Sequence, residues 1–443
     1  MEVVVQLGER RLGTLSHDTR TNRFAFAYAE EWLADLDRFP LAPNLPLISP
    51  EIANADAHSA AVRQFFENLL PEGEALDAAA LASKVSKANL MGLLIALGRE
   101  MAGALTVRAL DLEPIADGKV RRALTREELS ARIRSRPHES FAIWDGRVRL
   151  SIAGHQDKLA IHVDGDEWSL ADGAETASTH ILKPEPVRRE LAGLASNEYF
   201  CMRLAASAGL PTASVELLQV PEPVLLVTRF DRRRFHDGVE RLHVIDGCQA
   251  LGLPVAAKYE RLYGGQRDVR HIRDGASLPK LFALLSGSAR PLVERQALLR
   301  WALFQVLIGN ADAHAKNISY FLDSGGLRVA PAYDLVSVRA IGAPLDSSYA
   351  MAVGDAFSSE ELSPYEWAHF AAACGLPQRL VARELQRLAA RVLEIADVVH
   401  EEAIAHGADR GMLDRVRAVV EDECCRQQTN SPAIEHVDAD LFR

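Results

Sequence analysis

The chain has 443 residues, 48% hydrophobic and 25% charged, which excludes wholesale disorder and provides for two or three domains. A formal net charge of −11 argues against a protein that coats nucleic acid through bulk electrostatics. No apolar stretch approaches the roughly 18–20 residues that span a bilayer, the start "MEVVVQLGERRLG" lacks a secretory pattern, and five scattered cysteines lack metal-type spacing, so a cytoplasmic protein is expected.

Along residues 1–110, "EVVVQL", "RLGTL", "RFAFAY" and "ALTVRAL" read as strands, with helical patterns around "AAVRQFFENLLPEG" and "LMGLLIALG". This is a β-rich first domain. A charged connector, 111–146, leads to a second β-rich stretch, 147–245. It holds "VRLSIAGHQDKLAIHV", "EWSLA", "THILKPEP", "SVELLQV" and "PVLLVTRFD", and an amphipathic helix is expected from Arg188 to Gly209. Residues 246–425 are mainly helical, and the polar tail 426–443 is expected to be loose.

The helical part is interrupted by "IGNADAHAKNISYFLDSGGLRVAPAYD", Ile308 to Asp334. "RWALFQVLI" before it has the content of a buried helix, which Gly309 and Asn310 break. "ISYFL" and "LRVAPA" flank Asp323-Ser324-Gly325-Gly326 and read as a hairpin. Asp312 and Asn317 stand in D-x-x-x-x-N spacing, as on the catalytic loop of protein kinases, and Asp334 waits beyond the hairpin. In that arrangement the first Asp takes the proton of the attacking hydroxyl. Asn317 and Asp334 offer hard oxygen ligands for Mg²⁺, whose remaining positions substrate phosphates and water can fill. Lys316 lies between base and ligand, where it could neutralise charge on a transferring phosphate. Upstream, Lys183 sits in the strand-like "HILKP". Glu198 lies on the next helix, the order in which a kinase places a phosphate-binding lysine and the glutamate that orients it; Glu190 is a competing partner. The plain alternative is a helix end followed by a solvated turn. A metal hydrolase centre built on His314, Asp312 and Asp334 is a further one, weakened by having a single nearby histidine.

These stretches resemble the HipA-like serine/threonine kinases, the toxin component of bacterial toxin–antitoxin modules. The resemblance is carried by "FFENLLPEG", "SIAGHQDKLAI", "HILKP", "NEYFCMRLAASAGLP", "VTRFDR", "CQALGLP", "GNADAHAKN" and "PAYDL". It implies an α+β, protein-kinase-like bilobal core, with a β-rich N-lobe and a helical C-lobe, behind an additional N-terminal β-rich domain. It also implies ATP and Mg²⁺ as cofactors, Asp312 as catalytic base assisted by Lys316, Asn317 and Asp334 as metal ligands, and Lys183 on the phosphates. The loop Ala153, Gly154, His155, Gln156, Asp157, Lys158 would cover the triphosphate. Thr228, Arg229 and Phe230 would form the adenine hinge, with His314 and Tyr333 on the nucleotide side and Glu198 orienting the lysine. Ser151 would be an autophosphorylation site. Two positions depart from the family pattern: Thr228 stands where Glu is common, and Asp157 where the phosphate loop commonly has Glu.

The implied partners are a helix-turn-helix, HipB-like antitoxin, operator DNA reached through it, and a protein substrate such as an aminoacyl-tRNA synthetase. A catalytically weak co-repressor scaffold and a small-molecule kinase are the rival functions. The basic stretches Lys258–Arg273 and Arg232-Arg233-Arg234 read first as solvated charged surface, and second as a surface toward DNA or an RNA-bound substrate.

Overall fold

The computed structural model describes residues 1–47, 54–110, 122–136, 138–149, 156–171, 177–235, 238–343 and 345–442. They fall into two compact units that cut across the boundaries expected from sequence. The first comprises Met1–Pro184, Val220–Val255 and Tyr320–Gly326; the second Glu185–Gln219, Ala256–Ser319 and Leu327–Arg443.

The first unit opens with a four-stranded antiparallel sheet in the order Arg23–Tyr28, Arg10–Asp18, Glu2–Leu7, Leu105–Ala109. On its edge strand Phe24 and Phe26 are buried and alternate with exposed neighbours, the period of a half-buried strand. Helix Ala55–Glu67 covers it. Asn54 caps that helix by accepting from the backbone N–H groups of Asp56 and Ala57, and Ser59 Oγ accepts from Phe24 N at 2.8 Å. A second sheet runs Pro223–Thr228, His180–Pro184, Leu159–Asp164, Glu167–Leu170, Arg122–Ala123. The described part of the expected connector is therefore structured. It contributes that last strand, the helix Arg126–Ser135 capped by Thr125, and the strand Ile143–Trp144, which pairs with Arg147–Val148 just beyond it.

In the second unit the expected 188–209 helix is shorter, Leu194–Ser207, preceded by the 3-10 turn Arg189–Leu191. Glu185 supplies its N-terminal cap from a distance, accepting from the N–H groups of Gly193 (2.5 Å), Leu194 (3.1 Å) and Ala195 (3.2 Å). This helix is buried almost all round and packs on the long hairpin Gln378–Ala405/Arg410–Ile434, which is why it groups with the helical unit. Val381, Leu385, Leu388, Val392, Ile395 and Val399 form the buried stripe of Gln378–Ala405 at three- and four-residue spacing.

The expectation of a loose tail fails. The last helix continues to Ile434, and Gln427, Ser431 and Ile434 are buried. Two of its polar residues hold it to the helical unit: Trp367 Nε1 donates to Gln427 Oε1 at 2.8 Å, and Asn430 Nδ2 to Leu362 O at 3.3 Å.

One buried histidine carries a consequence for acid stability. His243 stacks on Phe39 and pairs its Nε2 with the Leu41 carbonyl at 3.0 Å, while its Nδ1 is buried with no partner. Burial pushes the imidazole down to about 4. Above pH 6.5 both folded and unfolded forms are neutral and the stability is fully present. Between pH 6.5 and about 4 the unfolded chain binds a proton that the folded chain refuses, so stability falls by up to about 3 kcal/mol. The urea midpoint of wild type should therefore drop more between pH 7.5 and 5 than that of His243→Gln. Equal drops would remove His243 from the acid response.

Candidate active site

Helix Pro291–Leu307 starts with proline at its first turn and is almost fully buried from Leu298 onward, as its apolar sequence requires. Gly309 ends it with φ +64°, and a Cβ there would lie 2.7 Å from Val419 Cγ1, so only glycine fits. The loop that follows is tied to this helix. Asn310 Nδ2 donates to Gln305 Oε1 at 2.8 Å, and Asn310 Oδ1 accepts from Asp312 N at 3.1 Å. The Asp312 carbonyl accepts twice, from His314 N at 2.8 Å and from Asn317 Nδ2 at 2.9 Å. That second bond explains the five-residue spacing, because it closes the loop of which Ala315–Asn317 is a 3-10 turn. Asp312 itself is exposed, and its Oδ1 accepts from the Tyr259 phenol at 2.8 Å. His314 is buried with its ring edge-on to Tyr259, centroids 5.2 Å apart, which suits a packing role better than a ligand role.

With its amide nitrogen on the Asp312 carbonyl, Asn317 keeps its amide oxygen as the atom it can offer to a cation. The expected hairpin is present as Ser319–Asp323 and Gly326–Val329. Beyond it, the Tyr333 hydroxyl donates to the Lys316 carbonyl at 2.7 Å and lies 2.8 Å from Ser319 Oγ. These bonds tie the Tyr333 side chain to the 316–319 segment. Asp334 has φ +57°, a left-handed backbone that costs on the order of 1–3 kcal/mol for a residue with a Cβ and concentrates at functional positions. An amide oxygen and a carboxylate suit Mg²⁺, a hard ion. Among the described residues no group of three or more His, Cys, Asp or Glu could hold a metal ion, so the hydrolase-type ligand set is not assembled there.

The remaining predicted residues are carried by other elements. Lys183 is buried on the central strand of the second sheet, opposite Leu225, with His180 opposite the half-buried Thr228. Burial lowers His180 to about 4, with Arg234 contributing, so this strand carries no histidine charge at neutral pH. Ser151 and, of the expected phosphate loop, Ala153, Gly154 and His155 lie outside the described residues. Gln156 and Lys158 are half-buried, and Asp157 is exposed and meets the buried Arg136 guanidinium at 3.4 Å. In the second unit, Glu198 is buried on helix Leu194–Ser207, whereas its competitor Glu190 is exposed.

The comparisons with known proteins cover nearly the whole chain. Residues 150–396 match the family model of the HipA-like C-terminal domain, and residues 3–108 that of the HipA N-terminal domain. The serine/threonine-protein kinase toxin HipA of Shewanella oneidensis is 37% identical over 399 residues, 89% of this chain and 88% of that protein. The chain belongs to the HipA family of serine/threonine-protein kinase toxins. Y4mE of Sinorhizobium fredii is 36% identical over 416 residues, 90% of this HipA-family chain and 94% of that protein. A solved structure of Shewanella oneidensis HipA with HipB and operator DNA superposes with a TM-score of 0.86 at 34% identity, covering 98% of this chain and 100% of that one. The α+β, kinase-like fold class expected from sequence is thus the family's own.

Two features of this HipA-family chain escaped sequence reasoning. One is Tyr259, 53 residues from the carboxylate it binds. The other is a buried charge cluster beside segment Thr228–Phe230. Arg229 grips Asp231 with two nitrogens at 2.9 and 2.7 Å and reaches Glu100 at 3.0 Å; Arg232 and Arg241 also reach Glu100, at 3.1 and 2.8 Å. Burial pushes the Glu100 carboxyl up, but Arg241, Arg232 and Arg229 outweigh it and hold it below the usual carboxylate range. The Arg229 side chain is thereby committed to structure. What segment 228–230 can offer a nucleotide is backbone and the Phe230 ring, which lies edge-on to Phe321. The same cluster corrects the reading of Arg232-Arg233-Arg234 as solvated surface at Arg232 alone, whose side chain is only 1% exposed, while Arg233 and Arg234 are exposed. The Lys258–Arg273 stretch is mixed in the same way: Lys258 is buried, and Arg273 pairs with Glu260 and Asp355.

Proposed function

We propose that this HipA-family kinase transfers the γ-phosphoryl group of MgATP to a serine or threonine hydroxyl of a protein. The observation that carries the reading is the loop geometry. Asp312 is exposed and held at its backbone by Asn310, His314 and Asn317, and Tyr333, the residue before Asp334, donates its hydroxyl to the Lys316 carbonyl. Asp312 takes the hydroxyl proton as the hydroxyl oxygen bonds to phosphorus and the bond from phosphorus to the leaving ADP oxygen breaks. Asn317 and Asp334 would hold Mg²⁺, which supplies charge neutralisation on the phosphates. Lys316 and Lys183 act on phosphate charge, and the buried Glu198, rather than Glu190, orients Lys183. The phosphate loop 153–158 covers the triphosphate and segment Thr228–Phe230 receives the adenine. Mg²⁺-dependent transfer of labelled phosphate from ATP to serine or threonine in purified full-length protein tests this. Label that appears equally without a divalent cation would contradict it.

The relatives support the biological setting. A HipB-like helix-turn-helix antitoxin would bind this chain and link it to operator DNA, as in the Shewanella complex of HipA, HipB and DNA. A translation component such as an aminoacyl-tRNA synthetase is the proposed substrate class.

Ser151 is the proposed autophosphorylation site that switches the kinase off. A phosphate there adds about −1.5 to −2 charges immediately before the loop that embraces a triphosphate. Like charges about 4 Å apart repel by roughly 4 kcal/mol per unit pair at an effective dielectric near 20. Mass spectrometry after incubation with MgATP should find phosphate on Ser151, and the phosphorylated fraction should bind ATP weakly. Phosphorylated protein with normal ATP affinity would end this part of the proposal.

A further inference from the structure

We propose that Tyr259 is a positioning residue for the base. Its phenol O–H holds the Asp312 carboxylate through Oδ1 and leaves Oδ2 to receive the proton of the incoming hydroxyl. The proposal rests on the reading of Asp312 as that base.

An ionised carboxylate only accepts hydrogen bonds, and each of its two oxygens offers lone pairs. On an exposed loop such a group turns freely unless a partner restrains it. The loop's other bonds at Asp312 use its backbone N–H and carbonyl, so they fix the main chain and leave the carboxylate's orientation open. The Tyr259 phenol, 2.8 Å from Oδ1, restrains the side chain.

Tyr259 is well placed to hold its partner because its own segment is tied to both sides of Asp312. On one side, the Lys258 carbonyl accepts from Ala315 N at 3.1 Å. On the other, Glu260 N donates to Ala350 O at 2.9 Å, and Ala350 N donates to Ala311 O at 2.8 Å. The Glu260 carboxylate is buried and accepts from Ala352 N and Arg273 Nε, both at 2.7 Å, so the segment cannot slide. The tyrosine ring rests edge-on against His314, two residues past the base. Its hydroxyl therefore moves with the loop that carries Asp312. Tyr259 is 36% exposed and Asp312 is exposed, which keeps this bond at the surface where a protein hydroxyl arrives.

The test separates the hydroxyl from the ring. Full-length wild type, Tyr259→Phe, Tyr259→Ala, Asp312→Asn and the double variant Asp312→Asn/Tyr259→Phe are compared for kcat and KM in MgATP turnover. Calorimetry gives their MgATP affinity. Tyr259→Phe keeps the packing on His314 and loses only the donor. Its kcat should fall about tenfold, the worth of one hydrogen bond to a charged group, with KM and MgATP affinity unchanged within about twofold. Tyr259→Ala should fall comparably, and Tyr259→Phe should cost nothing further on the Asp312→Asn background. A wild-type kcat in Tyr259→Phe beside an impaired Tyr259→Ala would show that the ring only packs, and would overturn the proposal. So would an equal loss from Tyr259→Phe in both backgrounds, because the hydroxyl would then act elsewhere. Wild-type turnover in Asp312→Asn would instead sink the base assignment, and the proposal with it.

Discussion

Asp312→Asn should lower phosphoryl transfer by about 10²–10⁴-fold, the usual contribution of a positioned base, while the fold and MgATP affinity stay close to wild type. The structure explains why the loss should be confined to chemistry. The bonds that shape the loop use the backbone of Asp312 and the side chains of Asn310 and Asn317, all of which survive the change. The amide oxygen of the replacement can still accept from the Tyr259 phenol. Asp312 is exposed, so no buried charge loses its partner, and stability should move by no more than about 0.5 kcal/mol. Steady-state transfer beside calorimetric titration of MgATP checks this. Activity within about threefold of wild type would show that Asp312 is not the base.

Asp334→Ala acts at the other end of the site and produces a different signature. Loss of the carboxylate should weaken Mg²⁺-dependent ATP binding at least tenfold, since even the partners of metal ligands commonly cost 10–100-fold in affinity. Alanine also tolerates the left-handed backbone of Asp334 less well, so a fold defect could mimic the effect. Asp334→Asn resolves this. Asparagine accepts the left-handed region, keeps an oxygen and removes only the charge. Both variants should bind ATP equally with and without Mg²⁺, where wild type gains from the ion. A variant of Asp334 that binds MgATP as tightly as wild type would move the metal role to other residues.

The parts of this fold that the sequence announces are those with a local period or a local breaker. The buried helix ending at Gly309, the hairpin around Asp323-Ser324-Gly325-Gly326 and the alternating first strands could be read directly, because their signals lie within a few residues of each other. The D-x-x-x-x-N spacing was legible for the same reason, and the Asn317–Asp312 bond shows what it does. Other features were hidden because their partners are remote. Gln427 reads as tail composition until Trp367, 60 residues away, meets it. Arg232 reads as one of three surface arginines until Glu100, 132 residues away, pairs with it. Arg122 reads as part of a charged linker until its strand adds to Glu167–Leu170. Tyr259 sits in a basic, polar stretch and shows no period that points to Asp312. Charge and polarity mark a residue as solvated only on average, and long-range pairing decides the particular case.

The most direct measurement compares serine and threonine phosphorylation across the proteome of host cells producing either the wild-type chain or Asp312→Ala at matched levels. Sites phosphorylated with the wild type alone, on one or a few proteins of the translation machinery, are the expected result. Indistinguishable phosphoproteomes, with both proteins folded and MgATP-competent, would contradict a protein kinase working through Asp312.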